Sequence, residues 1–66
     1  MNGTRTSKHY SRHALTNLLF KCGYNHTAAF QIIDEAETGD NVPFTDKNGQ
    51  TFRVTIDDET FLVTSN

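Results

Sequence analysis

The first regular pattern of hydrophobic positions has the period of an α-helix. Apolar residues follow Tyr10 at intervals that place them on one stripe of a helix, with polar residues on the other sides. Gly23 ends the pattern, at the position where a residue with left-handed backbone commonly terminates a helix. The sequence therefore predicts a first helix that begins near Tyr10 and has a stripe of Tyr10, Ala14, Leu15, Leu18, Leu19 and Cys22.

A second helical pattern follows after a connection of about three residues. Asn25 or Thr27 can cap its N-terminus, because either side-chain oxygen can accept a hydrogen bond from the backbone of the first turn. Gly39 marks its end. So short a connection requires the two helices to be packed neighbours. The predicted apolar side of this helix consists of Ala29, Phe30, Ile32, Ile33 and Ala36.

After Asn41 the hydrophobic period changes to two, which predicts β-strands. Residues 46–49 form a turn, and a three-residue loop with Gly49 in a left-handed bulge sets Phe44 opposite Phe52. A second turn at residues 58–59 sets Ile56 opposite Phe61, so that one face of the sheet is apolar. The sequence thus predicts three strands with the apolar series Val42, Phe44, Phe52, Val54, Ile56, Phe61 and Val63.

Together these elements predict an α+β fold, a two-helix hairpin packed on a three-stranded antiparallel β-meander in the order ααβββ. Pro43 is compatible with the first strand only if that strand is an edge. Residues 9–66 form one small domain, and residues 1–8, which lack an apolar period, form a flexible basic arm. The face of the sheet away from the helices is expected to be solvated and carries Thr45, Thr51, Arg53, Thr55, Leu62 and Thr64.

The chain is 66 residues long, so its single core is small and its stability is marginal. A homodimer would add buried area. Cys22 is the only cysteine, which excludes an intramolecular disulfide and favours a reducing compartment. No apolar run has the length of a membrane span, and the N-terminal residues lack the apolar segment of a signal peptide. We therefore expect a soluble cytoplasmic protein that does not bind membranes.

Charge is divided unequally along the chain. Residues 1–26 contain four basic residues and no acid, whereas residues 27–66 contain eight acids and two basic residues. The two parts carry +4 and −6, which add to the net charge of −2. Such asymmetry is typical of a basic binding arm, or of two halves that attract each other within the fold or a dimer.

The sequence predicts neither a metal site nor a catalytic site. His9 and His13 have helical i, i+4 spacing, but Cys22 follows His13 by nine residues, which places these two on opposite sides of the helix. Residues 57–59 are consecutive carboxylates at a turn, where solvent surrounds them. Cys22 lies on the apolar stripe, where a thiol is unreactive. We expect a protein that is not an enzyme and needs no cofactor.

The back of the first helix is the main candidate for a binding surface. Phe20 is an aromatic residue on this otherwise polar and basic side, where it can fill a pocket on a partner. The alternative is that Phe20 turns into the core or into a homodimer contact. The sequence favours a regulatory binding module that acts through a protein partner, with a surface formed by Arg5, Lys8, His9, Arg12, His13, Thr16 and Phe20.

Residues 22–30, with the sequence Cys-Gly-Tyr-Asn-His-Thr-Ala-Ala-Phe, resemble the turn and the start of the second helix in DNA-binding domains of the AraC family. The resemblance implies a helix-turn-helix whose second helix recognises DNA, with the hairpin at residues 46–50 as a wing. It supports a second hypothesis, a nucleic-acid-binding protein that uses its basic arm and binds through Asn25, His26, Thr27 and Gln31.

Overall fold

Two helices cover one face of a four-stranded antiparallel sheet in the computed structural model, which describes residues 6–65. The predicted α+β fold is confirmed, with four strands instead of three. The strands lie in the order β1-β4-β3-β2. Along the chain the elements are β1 (Thr6–Tyr10), α1 (Arg12–Lys21), α2 (His26–Glu37), β2 (Val42–Thr45), β3 (Thr51–Asp57) and β4 (Thr60–Ser65).

Strand β1 is the element that the sequence pattern does not predict, and it corrects two expectations. Residues 6–8, assigned above to a flexible arm, belong to the sheet, and the first helix begins at Arg12 instead of near Tyr10. β1 pairs with β4, with Lys8 opposite Val63 and Tyr10 opposite Phe61. Because Tyr10 is the only large apolar residue of β1, the strand has no alternating pattern to reveal it. Residues 1–5 of the predicted arm lie outside the described residues.

Side-chain caps define the start of each helix. The Ser11 hydroxyl accepts a hydrogen bond from the Ala14 N–H at 3.2 Å, and Asn25 Oδ1 accepts one from the Ala28 N–H at 2.9 Å. Each cap satisfies a backbone donor that has no partner within its own helix. Asn25, one of the two residues predicted as the second cap, is therefore confirmed in that role.

The strands β2, β3 and β4 pair in the register that the hydrophobic pattern predicts. Phe44 lies opposite Phe52, and their rings are stacked with centroids 5.3 Å apart. In the next pair of strands Val54 lies opposite Val63. Alternate residues of these strands therefore face the helices, as expected for a sheet with one buried face. The exposed or half-buried residues of the other face include Thr45, Thr51, Arg53, Thr55, Leu62 and Thr64.

Both hairpin turns contain a residue with positive φ. In the β2–β3 loop the Asp46 N–H donates to the Gln50 carbonyl at 3.0 Å, and Gly49 has a φ of 86°. This geometry confirms the predicted bulge. In the β3–β4 turn the residue is Asp58, with a φ of 58°, a conformation that costs a residue with a Cβ atom about 1 kcal/mol. The predicted turn at residues 58–59 contains no glycine that would mark which residue adopts this conformation.

The substitution Asp58→Gly should therefore stabilise the protein. Glycine adopts positive φ without steric cost, and this gain exceeds the entropy that a glycine adds to the unfolded chain, leaving about 0.5 kcal/mol. Urea denaturation at neutral pH measures the change. Glu59→Gly is the matched control, because it removes a neighbouring negative charge where φ is not positive. If both variants were equally stabilised, the gain would come from the loss of a negative charge, and the backbone explanation would be contradicted.

The core lies between the helix pair and the sheet. Its largest fully buried side chains are those of Leu15, Leu19, Ile33 and Val54. Phe30 departs from the prediction: it was assigned to the apolar side of the second helix, yet 46% of its surface is exposed. On α2 it follows the fully buried Ala29 by one residue, which rotates its side chain by about 100° away from the core.

Candidate functional site

The predicted binding residues do not form one surface. His9 lies on β1, opposite Leu62 of β4, and its ring is on the outer face of the sheet. Its Nε2 atom is 2.8 Å from Oδ2 of Asp57 on β3. The expectation that His9 shares a helix face with Arg12 and Phe20 is therefore wrong, because the helix begins after it.

The side of α1 that carries Arg12, Thr16 and Phe20 faces α2. Arg12 forms an ion pair with Glu37 at the end of α2, and Phe20 contacts the ring of His26 at the start of α2. The two helices are therefore antiparallel. Thr16, one helical turn from each, uses its hydroxyl to donate to the Arg12 carbonyl at 2.9 Å. Arg12 and Phe20 thus contact α2 instead of projecting freely from the back of helix 1, and Thr16 lies between them on the same side of α1.

An aromatic cluster of Phe20, His26 and Phe30 forms at one end of this junction. The Phe20 and His26 ring centroids are 4.8 Å apart, and those of His26 and Phe30 are 6.1 Å apart. Phe20 is half-buried and packs against the core, whereas Phe30 is the only large hydrophobic residue that is exposed among residues 7–65. Phe20 thus anchors the cluster to the core, and Phe30 is its exposed member.

The local sequence explains how the cluster forms. His26 and Phe30 are four residues apart, so both project from the same side of α2. The four-residue connection between the helices returns the chain so that the end of α1 lies beside the start of α2. The sequence shows the i, i+4 spacing of His26 and Phe30. This spacing makes the two side chains neighbours only if both residues are helical, which the cap at Asn25 ensures.

The exposed charges of α1 are basic. Arg12, His13 and Lys21 are exposed on α1, which contains no acidic residue. The first turn of α2 contains no acidic residue either, so no carboxylate of that turn offsets the partial positive charge of its N-terminus. Arg12 alone is compensated, by Glu37. Lys21 and the start of α2 therefore supply positive charge at the end with the cluster, whereas Arg12 and His13 lie toward the other end of the helix pair.

The residues predicted for nucleic-acid contact have different roles in the fold. Asn25 uses its side-chain oxygen to cap α2, and His26 belongs to the aromatic cluster. Thr27 and Gln31 are exposed and free of these roles. Further along α2 the exposed residues are acidic, namely Asp34, Glu35 and Glu37.

The other predicted binding residues lie apart from the cluster. Lys8 is on the edge strand β1, where its Nζ atom is 5.4 Å from the centroid of the Tyr10 ring. His13 is exposed on α1. Arg5 lies outside the described residues.

Cys22 ends α1 as its half-buried C-cap. Burial raises the pKa of its thiol, the Asp46 carboxylate raises it further, and Lys47 lowers it to a smaller extent. The thiol therefore remains protonated and weakly nucleophilic at neutral pH. Within residues 6–65 no group of three or more histidine, cysteine or acidic side chains is arranged to hold a metal ion.

Comparison with known protein-family models, curated proteins and solved structures finds no match to this chain. In the described part of the chain, neither helix has the length and apolar character that crossing a membrane requires.

Proposed function

We propose that this chain is a small, non-catalytic module that regulates a partner protein by binding an acidic segment of it through the aromatic cluster. The exposure of Phe30 carries the proposal. A domain of 66 residues has little apolar area to bury, so an exposed phenylalanine forgoes burial that would stabilise it. Contact with an apolar side chain of a partner restores that burial.

The arrangement of the rings also supports a contact role. Aromatic residues supply much of the binding energy at protein interfaces, because they bury a large rigid area at a small cost in entropy. His26 lies between the two phenylalanines, and Phe20 is held against the core. The His26 ring lies against Phe30, and a side chain with a packed neighbour loses less entropy when a partner binds.

Charge supports an acidic partner. Lys21 is the exposed charged side chain of α1 next to the cluster, and α1 contains no carboxylate. A partner segment that carries an apolar side chain beside acidic ones would therefore find complementary charge at the end of α1 and the start of α2, while Asp34 limits its extent along α2. The proposal also includes a cytoplasmic location, which suits a chain with a single cysteine.

A nucleic acid is the alternative partner, since aromatic rings can stack on bases and lysine can contact phosphate. The exposed acids Asp34, Glu35 and Glu37 on α2 argue against it, because a long phosphate backbone would extend along that helix and be repelled. A short acidic segment can contact the start of α2 alone. The protein partner is therefore favoured. The binding experiment below also distinguishes it from a nucleic acid.

The substitution Phe30→Ala tests the proposal. The affinity-tagged chain captures partners from extract of its own cells with and without nuclease treatment, and the affinity of each captured protein is then measured with purified components. We expect Phe30→Ala to weaken binding about tenfold while the melting temperature stays within a few degrees of wild type, because the side chain is largely outside the core.

Gln31→Ala is the matched control, since it truncates the neighbouring exposed side chain on α2 outside the cluster. It should bind as the wild type does. Equal affinities for wild type and Phe30→Ala would exclude the cluster as the contact surface. Capture that disappears after nuclease treatment, with an affinity that falls steeply as salt rises, would replace the protein partner with a nucleic acid.

A further inference from the structure

The two edges of the sheet differ in how many backbone donors they leave unused. Edge strands expose N–H and C=O groups that can pair with another chain, and proteins commonly block them. The edges here are β1 and β2. Their pairing registers determine which residues direct backbone groups outward.

The two-residue turn between β3 and β4 sets this alternation. The pair that closes such a turn, Asp57 and Thr60, is hydrogen-bonded, and hydrogen-bonded pairs then alternate along the ladder. The even-numbered residues of β4 therefore bond to β3, and its odd-numbered residues bond to β1. Each odd residue of β4 lies opposite an even residue of β1, so the outward backbone groups of β1 belong to Ser7 and His9.

Within residues 6–65, the β2 edge has no unpaired outward N–H group. By the same alternation its outward residues are Pro43 and Thr45. Pro43 has no N–H group, and the N–H of Thr45 donates to the hydroxyl of Tyr24 at 2.9 Å. Tyr24 and Pro43 thus close this edge by independent means.

The β1 edge is not closed in either way. Among the hydrogen bonds within residues 6–65, the N–H groups of Ser7 and His9 have no acceptor. These two donors lie two residues apart, which is the spacing that an added antiparallel strand can pair with. We propose that β1 accepts an extended acidic segment of a partner protein as a fifth strand of the sheet.

The charge on β1 determines which kind of strand can pair with this edge. Lys8 is exposed and forms no ion pair within the described residues, and no acid occurs in residues 1–26. A second copy of the chain is disfavoured, because the antiparallel register centred on β1 would set Lys8 directly against Lys8 of that copy. An acidic strand instead brings a carboxylate opposite Lys8. This site is separate from the aromatic cluster and does not depend on it.

A pair of synthetic peptides tests the proposal with the full chain. One is a seven-residue peptide of alternating glutamate and valine, blocked at both ends, and the other has lysine in place of glutamate. Nuclear magnetic resonance of the labelled protein should show the amide protons of Ser7 and His9 shifting downfield with the acidic peptide, while that of Thr45 stays unchanged. The basic peptide should bind about tenfold more weakly. Equal binding of both peptides, or shifts confined to other elements, would overturn the proposal.

Backbone variants separate strand addition from simple charge attraction. Ser7→Pro removes one outward donor and leaves the bonds to β4 in place, so it should weaken the acidic peptide about fivefold. Ser7→Ala keeps the N–H group and should bind as wild type does. Lys8→Glu should reverse the preference between the two peptides, which provides a test that does not depend on the folding of the proline variant. A wild-type dimer that Ser7→Pro dissociates would show that β1 pairs with itself and would refute the acidic partner strand.

Discussion

Replacement of Leu19 by alanine should leave much of the protein unfolded at room temperature. Leu19 is fully buried on α1, where it belongs to the core between the helices and the sheet. Truncation to alanine removes its packing contacts and leaves a cavity, at a cost of about 3–4 kcal/mol. A domain of this length has a total stability of about 3–5 kcal/mol. Circular dichroism followed during urea and thermal denaturation measures the loss directly.

The substitution Leu62→Ala provides the control, because it makes the same chemical change on the opposite face of the sheet. Leu62 is half-buried there and pairs with Thr55 and His9 on the neighbouring strands. Its truncation should cost about 1 kcal/mol, because the Leu62 side chain is only partly buried and water can fill the space that it leaves. If Leu19→Ala melted within a few degrees of wild type, the packing of α1 on the sheet would not be the main source of stability.

The register of the sheet could be predicted because two independent constraints agree. The alternation of apolar residues requires Phe44 and Phe52 to share a face, and only a loop with an odd number of residues allows that pairing. Gly49 supplies the backbone conformation that such a loop needs. The same reasoning on the β3–β4 turn gives the pairing of Val54 with Val63. Where a side-chain period and a turn signal coincide, local sequence is sufficient.

Strand β1 could not be predicted in this way, because its conformation depends on a distant partner. Within the chain its only large apolar side chain is that of Tyr10, and the same residue fits the helical stripe of α1. Pairing with β4, more than fifty residues away, decides between the two. The capping preference of Ser11 is the one local signal that separates strand from helix.

The candidate site shows a similar division between local and tertiary information. The spacing of His26 and Phe30 is local, but the approach of Phe20 requires the antiparallel packing of the two helices. The unequal distribution of charge also becomes clear only in the fold. Arg12 pairs with Glu37, and His9 lies against Asp57, so each of these contacts joins the first 26 residues to the remainder. Contacts between the two halves therefore form within the chain at these positions, and Lys21 forms no ion pair within residues 6–65.

The substitution Gly49→Val should destabilise the protein by about 2 kcal/mol, and so lower its melting temperature by about 10 °C. Gly49 has a φ of 86°, and a Cβ atom added there would have no atom within 4 Å. The cost therefore comes from the backbone alone, because a β-branched residue resists positive φ. Thermal denaturation followed by circular dichroism measures it.

The substitution Gly49→Asn separates this backbone effect from the loss of glycine itself. Asparagine tolerates the left-handed region, so this variant should retain most of the wild-type stability. If both variants melted with the wild type, the loop would have to adopt another conformation, and the register that sets Phe44 opposite Phe52 would lose its support. If both were equally destabilised, flexibility at residue 49 would matter more than the sign of φ. A large loss for valine with a small one for asparagine would confirm that the bulge at Gly49 holds β2 and β3 in register.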